Sequence, residues 1–222
     1  MSVAALVHVV VSGLATGSIY ALMALALVII YNATRTLNFA QGEMLMVSTF
    51  VAWTAQRALG VPLAASLVVA VVTGGAMAWA IERVVIRRAV AATHWDVLII
   101  TLGLSLILRS VAGLVWTHDE FPFPSFFGSR PIALGPVRLA PVVFLSSTMG
   151  LVVINGFTAA VIGGFGSMPG AVAGGMLLGV IENLAPLYLP SGIRYSVPFL
   201  VLIAILVVRP AGLLGRVEQR KV

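Results

Sequence analysis

The chain has 222 residues, of which 60% are hydrophobic and only 9% carry a charge. Soluble domains carry about 25% charged residues, so this composition excludes a water-soluble globular protein. The net charge of +6 comes from basic residues between apolar segments and at the C-terminus, where membrane proteins keep cytoplasmic Lys and Arg, and no nucleic acid partner is expected. Without cysteine, disulfides and thiolate metal sites are excluded.

Seven apolar segments follow one another along the chain. They are residues 3–31, 37–53, 63–81, 97–116, 141–161, 163–181 and 197–208. Since about 20 apolar residues cross a bilayer as a helix, the pattern predicts an all-α, polytopic transmembrane helix bundle with about six to eight membrane segments, some broken or re-entrant. We treat residues 1–222 as one transmembrane domain.

The first segment is longer than one perpendicular crossing requires, which predicts a tilt or a break near Gly13 and Gly17. Residues 1–11 lack the basic residues of a signal peptide, so we expect them to begin a retained helix. The basic 82–94 loop and the 209–222 tail are expected in the cytoplasm, which places the 118–138 loop and the N-terminus outside.

Polar residues inside the second segment are candidates for a substrate path. Glu43 is costly at membrane depth, so it should face a bundle interior or a wet cavity. If the segment is helical from residue 37, Asn38 and Gln41 share one face and Glu43 lies off it. Alternatively, Glu43 lies near the membrane surface, neutralised by Arg35 or by a helix N-terminus. Glu182 has the same two interpretations.

Arg109 lies toward the far end of its apolar segment. Its long side chain reaches the interface from there, or it lines a pore.

Glycines recur between residues 163 and 179 in a pattern typical of close helix contacts. They are Gly163, Gly164, Gly166, Gly170, Gly174, Gly175 and Gly179. A spacing of four lets two helices touch backbone to backbone. Glycine with Pro169 also suits a helix broken inside the membrane, which is tolerated where it lines a cavity.

The sequence offers no catalytic, metal or cofactor site. A phosphate-binding P-loop requires a Gly-Lys pair, whereas the single lysine is Lys221. The three histidines His8, His94 and His118 are far apart along the chain and form no ligand cluster.

Four blocks resemble the permease subunits of branched-chain amino acid ABC transporters. They are 13–22 (Gly-Leu-Ala-Thr-Gly-Ser-Ile-Tyr-Ala-Leu), 37–44 (Leu-Asn-Phe-Ala-Gln-Gly-Glu-Met), the glycine-rich 163–182, and 209–215 (Arg-Pro-Ala-Gly-Leu-Leu-Gly). The resemblance implies an inner-membrane permease for branched-chain amino acids or related small polar solutes. It also implies a second permease subunit, cytoplasmic ATP-binding subunits, a periplasmic solute-binding protein and surrounding membrane lipid as partners.

One departure from the family concerns the cytoplasmic segment that docks on the ATPase. In the family this segment and a further apolar span precede a stretch similar to Ser147–Leu151. Here residues 141–145 run almost directly into that stretch, so the chain resembles a member with an internal deletion joined near 144–147. The alternatives to an ABC importer permease are an ion-coupled secondary transporter or channel and a non-functional truncated permease.

Overall fold

The computed structural model describes residues 3–89, 94–116, 132–134, 137–139, 146–189, 196–209 and 211–215. This part of the chain contains seven α-helices: α1 (Val3–Thr34), α2 (Gln41–Leu59), α3 (Leu63–Ile81), α4 (His94–Trp116), α5 (Ser146–Gly163), α6 (Met168–Tyr188) and α7 (Val197–Val208). A π-helical turn (Glu82–Ile86) and a 3-10 turn (Arg87–Ala89) extend α3. Strands β1 (Ile132–Leu134) and β2 (Val137–Leu139) form a short antiparallel hairpin, with Ile132 opposite Leu139.

Among the described residues, four stretches are long and apolar enough to cross a membrane: Ala5–Thr34, Leu63–Ile86, Asp96–Trp116 and Met168–Tyr188. Val152–Gly163 and Val197–Val208 are shorter apolar helices. The prediction of an all-α, polytopic membrane bundle is therefore confirmed, with the β-hairpin as a small addition.

Helix α1 is continuous from Val3 to Thr34, so of the predicted tilt or break near Gly13 and Gly17, the break does not occur. Its glycines serve close packing. A β-carbon on Gly13 would lie 2.7 Å from the Cα of Val180, and one on Gly17 would lie 2.8 Å from the carbonyl oxygen of Gly175. The missing side chains therefore let α6 approach the α1 backbone without breaking α1.

The chain divides into two compact units. One unit consists of Met1–Arg35, Arg130–Ala140 and Leu151–Val222, and the other of Thr36–Ser129 and Pro141–Gly150. The first unit is organised around the α1–α6 contact, and its core is small and aliphatic: Ala24, Val28, Ala159, Ile162 and Leu178 are fully buried.

In the second unit, α2 and α3 form an antiparallel helix pair joined by a short turn. Gly60 ends α2 in the left-handed conformation, with φ 64°, the position for which glycine is favoured. Helix α2 therefore continues to Leu59, six residues beyond the end of the apolar segment 37–53. Farther along the pair, Ser48 packs at Gly74, where an added β-carbon would lie 3.6 Å from the serine β-carbon.

Helices α5 and α6 are joined by a turn at residues 164–167 that depends on glycine. Gly164 and Gly166 have φ values of 99° and 96°, which side chains rarely tolerate. The Ser167 hydroxyl then caps α6 by accepting from the Gly170 N–H at 3.1 Å.

The segment 211–215 completes the C-terminal end of α5. The Leu213 N–H donates to the Ile162 carbonyl at 2.8 Å, and the Leu214 N–H donates to the Gly163 carbonyl at 3.0 Å. These are carbonyls that a helix end leaves without partners of its own. The last of the four sequence blocks therefore has a structural role as a helix cap.

Candidate functional site

The Arg109 guanidinium on α4 binds Glu43 in the first turn of α2. Its Nε donates to Glu43 Oε1 at 3.1 Å, and its Nη2 donates to the same oxygen at 2.5 Å. The Glu43 side chain is 13% exposed and the Arg109 side chain is 63% exposed. The acid is thus neutralised inside the helix bundle, while the arginine keeps an open flank.

This ion pair lies well inside the length of α4. Arg109 is 15 residues after His94 and seven before Trp116, which at 1.5 Å per residue places it about 22 Å and about 10 Å from the two helix ends. Arg109 therefore lies within the apolar stretch Asp96–Trp116, where an unpaired charge is costly, whereas Glu43 lies in the first turn of α2.

Aromatic contacts between α2 and α4 lie toward the Trp116 end. The Trp116 indole N–H donates to the Thr54 hydroxyl at 2.7 Å, and its ring stacks on Phe50 with centroids 5.4 Å apart. On α2, Glu43 comes before Thr54, and their partners on α4 come in the same order, Arg109 before Trp116. The two helices therefore run in the same direction. This second contact fixes the register in which the charged residues meet.

Asn38 organises the chain just before α2. The helix begins at Gln41, so Asn38 is not on it, and the sequence-based start at residue 37 was four residues too early. The Asn38 Oδ1 accepts from the Ala40 N–H at 3.0 Å, an Asx turn that competes with helix formation. Asn38 therefore sets where α2 starts and so where Glu43 is presented.

Gln41, in the same turn as Glu43, has an unfilled acceptor. Its Oε1 is buried and has no hydrogen-bond partner within the described part of the chain. Buried polar atoms are normally paired, because leaving one unpaired costs about 1–3 kcal/mol. The first turn of α2 thus carries an acceptor that its own surroundings do not satisfy.

Glu182 belongs to a different cluster, in the first unit. The Tyr20 hydroxyl on α1 donates to Glu182 Oε2 at 2.7 Å, and the Asn155 amide on α5 donates to the same oxygen at 3.3 Å. The residue is only 8% exposed. These bonds join three helices around one carboxylate, and no ion pair to Glu182 is found among the described residues.

The glycines of 163–179 lie where backbones meet. Gly163 and Gly170 lie against each other across the α5–α6 turn, Gly174 meets Ala159 of α5, and Gly175 and Gly179 meet Ala21 and Gly17 of α1. Gly164 adjoins Gly212 and Gly215 of the C-terminal segment. Gly166 is the most open of the set, with only the Asn32 side chain near it, at 3.6 Å.

The sequence analysis identified the charged residues but not the side chains with which they form ion pairs and hydrogen bonds. It treated Glu43 and Arg109 separately and considered Arg35 or a helix N-terminus as the group that neutralises Glu43, and it did not single out Tyr20 or Asn155. Glu43 does lie in the first turn of α2. Two lone, opposite charges in the second and fourth apolar segments were the available signal for the ion pair, since intramembrane charges usually pair. Tyr20 and Asn155 gave no comparable signal.

Helices of membrane-crossing length, one of which carries the ion-paired Arg109, define a polytopic membrane protein. Residues 9–145 match the family model described as branched-chain amino acid transport system / permease component, and the chain belongs to this family. It is a multi-pass protein of the inner (plasma) membrane.

Several relatives have the same description. The high-affinity branched-chain amino acid transport system permease proteins LivH of Salmonella typhimurium and of Escherichia coli are each 27% identical to the chain, and the match covers 95% of this chain and 96% of the relative. BraD of Pseudomonas aeruginosa is 27% identical, with 96% of each chain covered. No solved structure matches the chain.

Proposed function

We propose that the chain is a membrane-spanning permease subunit of an ABC importer that translocates branched-chain amino acids, or related small polar solutes, across the inner membrane. The family match carries this proposal. An arginine that is ion-paired within the apolar stretch Asp96–Trp116 supports it, because such groups commonly mark solute paths. The chain itself performs no chemistry in this scheme.

The proposed partners follow from the division of labour in such importers. Separate cytoplasmic subunits hydrolyse ATP, a second permease subunit completes the path, and a periplasmic protein delivers the solute. The exposed basic turn with Arg83, Arg87 and Arg88 suits the cytoplasmic side.

Of the candidate path residues, Glu43 has the environment that a solute contact needs. Its carboxylate adjoins an arginine that is largely exposed, and Gln41 in the same turn has an unfilled acceptor. Glu182, by contrast, is buried with two donors on one oxygen. We therefore assign Asn38, Gln41 and Glu43 to the solute path or its support, and Glu182 to holding helices together.

A second candidate function is a permease that has lost coupling to its ATPase. The match to LivH extends over 295 aligned positions, whereas 95% of 222 residues is about 211, so about 84 aligned positions lack a counterpart here. The family model also ends at residue 145, at the proposed join near 144–147. From Leu139 to Gly163 the sequence has no Lys, Arg, Asp or Glu with which to dock on a soluble subunit.

Complementation separates these two functions. The gene is expressed in a strain that lacks its own permease subunit but has the ATPase, binding protein and second permease, and leucine uptake is measured, with a full-length relative as the positive control. Uptake that requires ATP would support the importer and exclude the loss of coupling. Normal membrane insertion without such uptake would support the uncoupled permease, and uptake driven by a proton or sodium gradient would overturn both.

A further inference from the structure

The Glu43–Arg109 ion pair is incomplete, and both partners have bonding capacity to spare. Both hydrogen bonds from Arg109 end on Oε1 of Glu43. Within the described ranges no donor reaches Glu43 Oε2, and no acceptor reaches Arg109 Nη1. An arginine–carboxylate pair commonly forms two parallel bonds to two oxygens, so this arrangement leaves one carboxylate oxygen and the N–H groups of Nη1 without a described partner.

The open positions have opposite charge and belong to one ion pair. A carboxylate oxygen accepts from an ammonium group, and guanidinium N–H groups donate to a carboxylate. A free α-amino acid carries these two groups on a single carbon. We infer that the Glu43–Arg109 pair binds the ammonium and carboxylate groups of a zwitterionic amino acid, with Glu43 Oε2 facing the ammonium and Arg109 Nη1 facing the carboxylate.

Charge balance at membrane depth favours a zwitterion over other solutes. The empty pair is neutral, and it stays neutral after a zwitterion binds. A simple cation or anion would instead leave a net charge in surroundings of low dielectric constant, where an uncompensated charge is costly.

The face of α4 beside Arg109 suits a branched aliphatic side chain. Leu106 and Leu102 precede Arg109 by three and seven residues, so they lie on its side of the helix. Their exposed fractions are 66% and 48%. The two leucines would contact the hydrocarbon part of an amino acid held at Arg109.

This inference rests on the proposed function, but binding requires no ATPase and is measured without one. The purified full chain in nanodiscs is tested with radiolabelled L-leucine at concentrations up to about 10 mM, since transport sites bind weakly. Unlabelled L-leucine should displace the label. Leucinamide, which lacks the carboxylate, and 4-methylpentanoate, which lacks the ammonium, should be weaker competitors by about tenfold or more.

Two variants test the residues, with a matched ion pair as the control. Glu43→Gln and Arg109→Gln should each weaken leucine binding about tenfold or more. Glu82→Gln and Arg87→Gln alter an exposed pair with a 3.7 Å separation and should leave binding unchanged. Leucine binding that persists in both site variants would overturn the inference, as would leucine failing to bind the unaltered chain.

The analogue series protects the test against a folding defect in a variant, because it uses only the unaltered chain. Equal competition by leucine, leucinamide and 4-methylpentanoate would overturn the inference by itself. Leucine binding without ATP-dependent uptake would leave the zwitterion site standing and count against the coupled importer. ATP-dependent uptake without leucine binding at this pair would support the coupled importer and count against the zwitterion site.

Discussion

The Tyr20 hydroxyl and the Glu182 carboxylate lie 2.7 Å apart although 162 positions separate them in the sequence. The bond connects α1 with α6 beside their glycine contacts. Asn155 adds a bond from α5 to the same oxygen. One carboxylate thus fixes the rotation of three helices about their axes. Glycine packing alone leaves these helices free to slide against one another.

Tyr20→Phe removes one of these donors and should destabilise the protein by about 1–3 kcal/mol, because the acid is left with a single described donor in a buried site. The thermal unfolding of the purified chain is the measurement. Tyr188→Phe is the control, since Tyr188 is 75% exposed, and its melting temperature should stay at the wild-type value. Equal melting temperatures for both variants would contradict a structural role for the Tyr20 bond.

Gly179→Ala tests the α1–α6 contact with the smallest possible change. Its new β-carbon would meet the Gly17 backbone and, at 2.5 Å, the Gly13 carbonyl oxygen, so the helices must separate at a cost of about 1–3 kcal/mol. Gly103→Ala on α4, where nothing lies within 4 Å, should be neutral or slightly stabilising, because alanine favours helix by about 1 kcal/mol over glycine. If both variants changed the melting temperature by the same amount, α1 and α6 would not be in close backbone contact at Gly179.

Gly212→Ala tests the cap on α5. Gly212 has φ 76° and lies against Gly164, whose Cα would be 2.5 Å from an added β-carbon. Gly60→Ala is matched to it, with φ 64° and nothing within 4 Å, so that variant carries only the left-handed strain of about 1–2 kcal/mol. Gly212→Ala should therefore melt at the lower temperature, and the reverse order would refute docking of the C-terminal segment on α5.

The purified chain should neither bind nor hydrolyse ATP. The motivation is chemical, because a P-loop requires a lysine after its glycines and the only lysine is Lys221. Equilibrium binding of a labelled ATP analogue, with an isolated ATPase as the positive control, is the measurement. Binding at one nucleotide per chain would contradict this prediction.

The sequence was sufficient for the architecture because bilayer thickness leaves long apolar helices few alternatives. It predicted α3 at its observed bounds and α7 likewise. It was weaker at the start of α2, where the Asn38 side chain, rather than hydrophobicity, decides which residue begins the helix. Of the apolar segment 141–161, the described part is a single helix, α5, which begins at Ser146, while residues 141–145 lie outside the described ranges.

The sequence was sufficient to identify the residues of the candidate sites but not to identify which residues contact each other. Hydropathy marks Glu43, Arg109 and Glu182 as unusual, since each is charged within an apolar segment. Which partner each one meets depends on helix rotation and register, which for α2 and α4 is also fixed by Trp116 and Thr54. The family resemblance of residues 209–215 likewise did not indicate that their N–H groups cap α5.

The contacts of the first helix have a consequence for the order in which the protein assembles during synthesis. Helix α1 leaves the ribosome first, yet its chief partner is α6, and the α5 carbonyls await N–H groups at residues 213 and 214. Helices α2, α3 and α4, by contrast, meet neighbours close to them in sequence and are able to pack as they enter the bilayer. The first unit therefore remains incomplete until nearly the whole chain has been translated. Until then, α1 must stay in the membrane with the face that carries Gly13 and Gly17 uncovered.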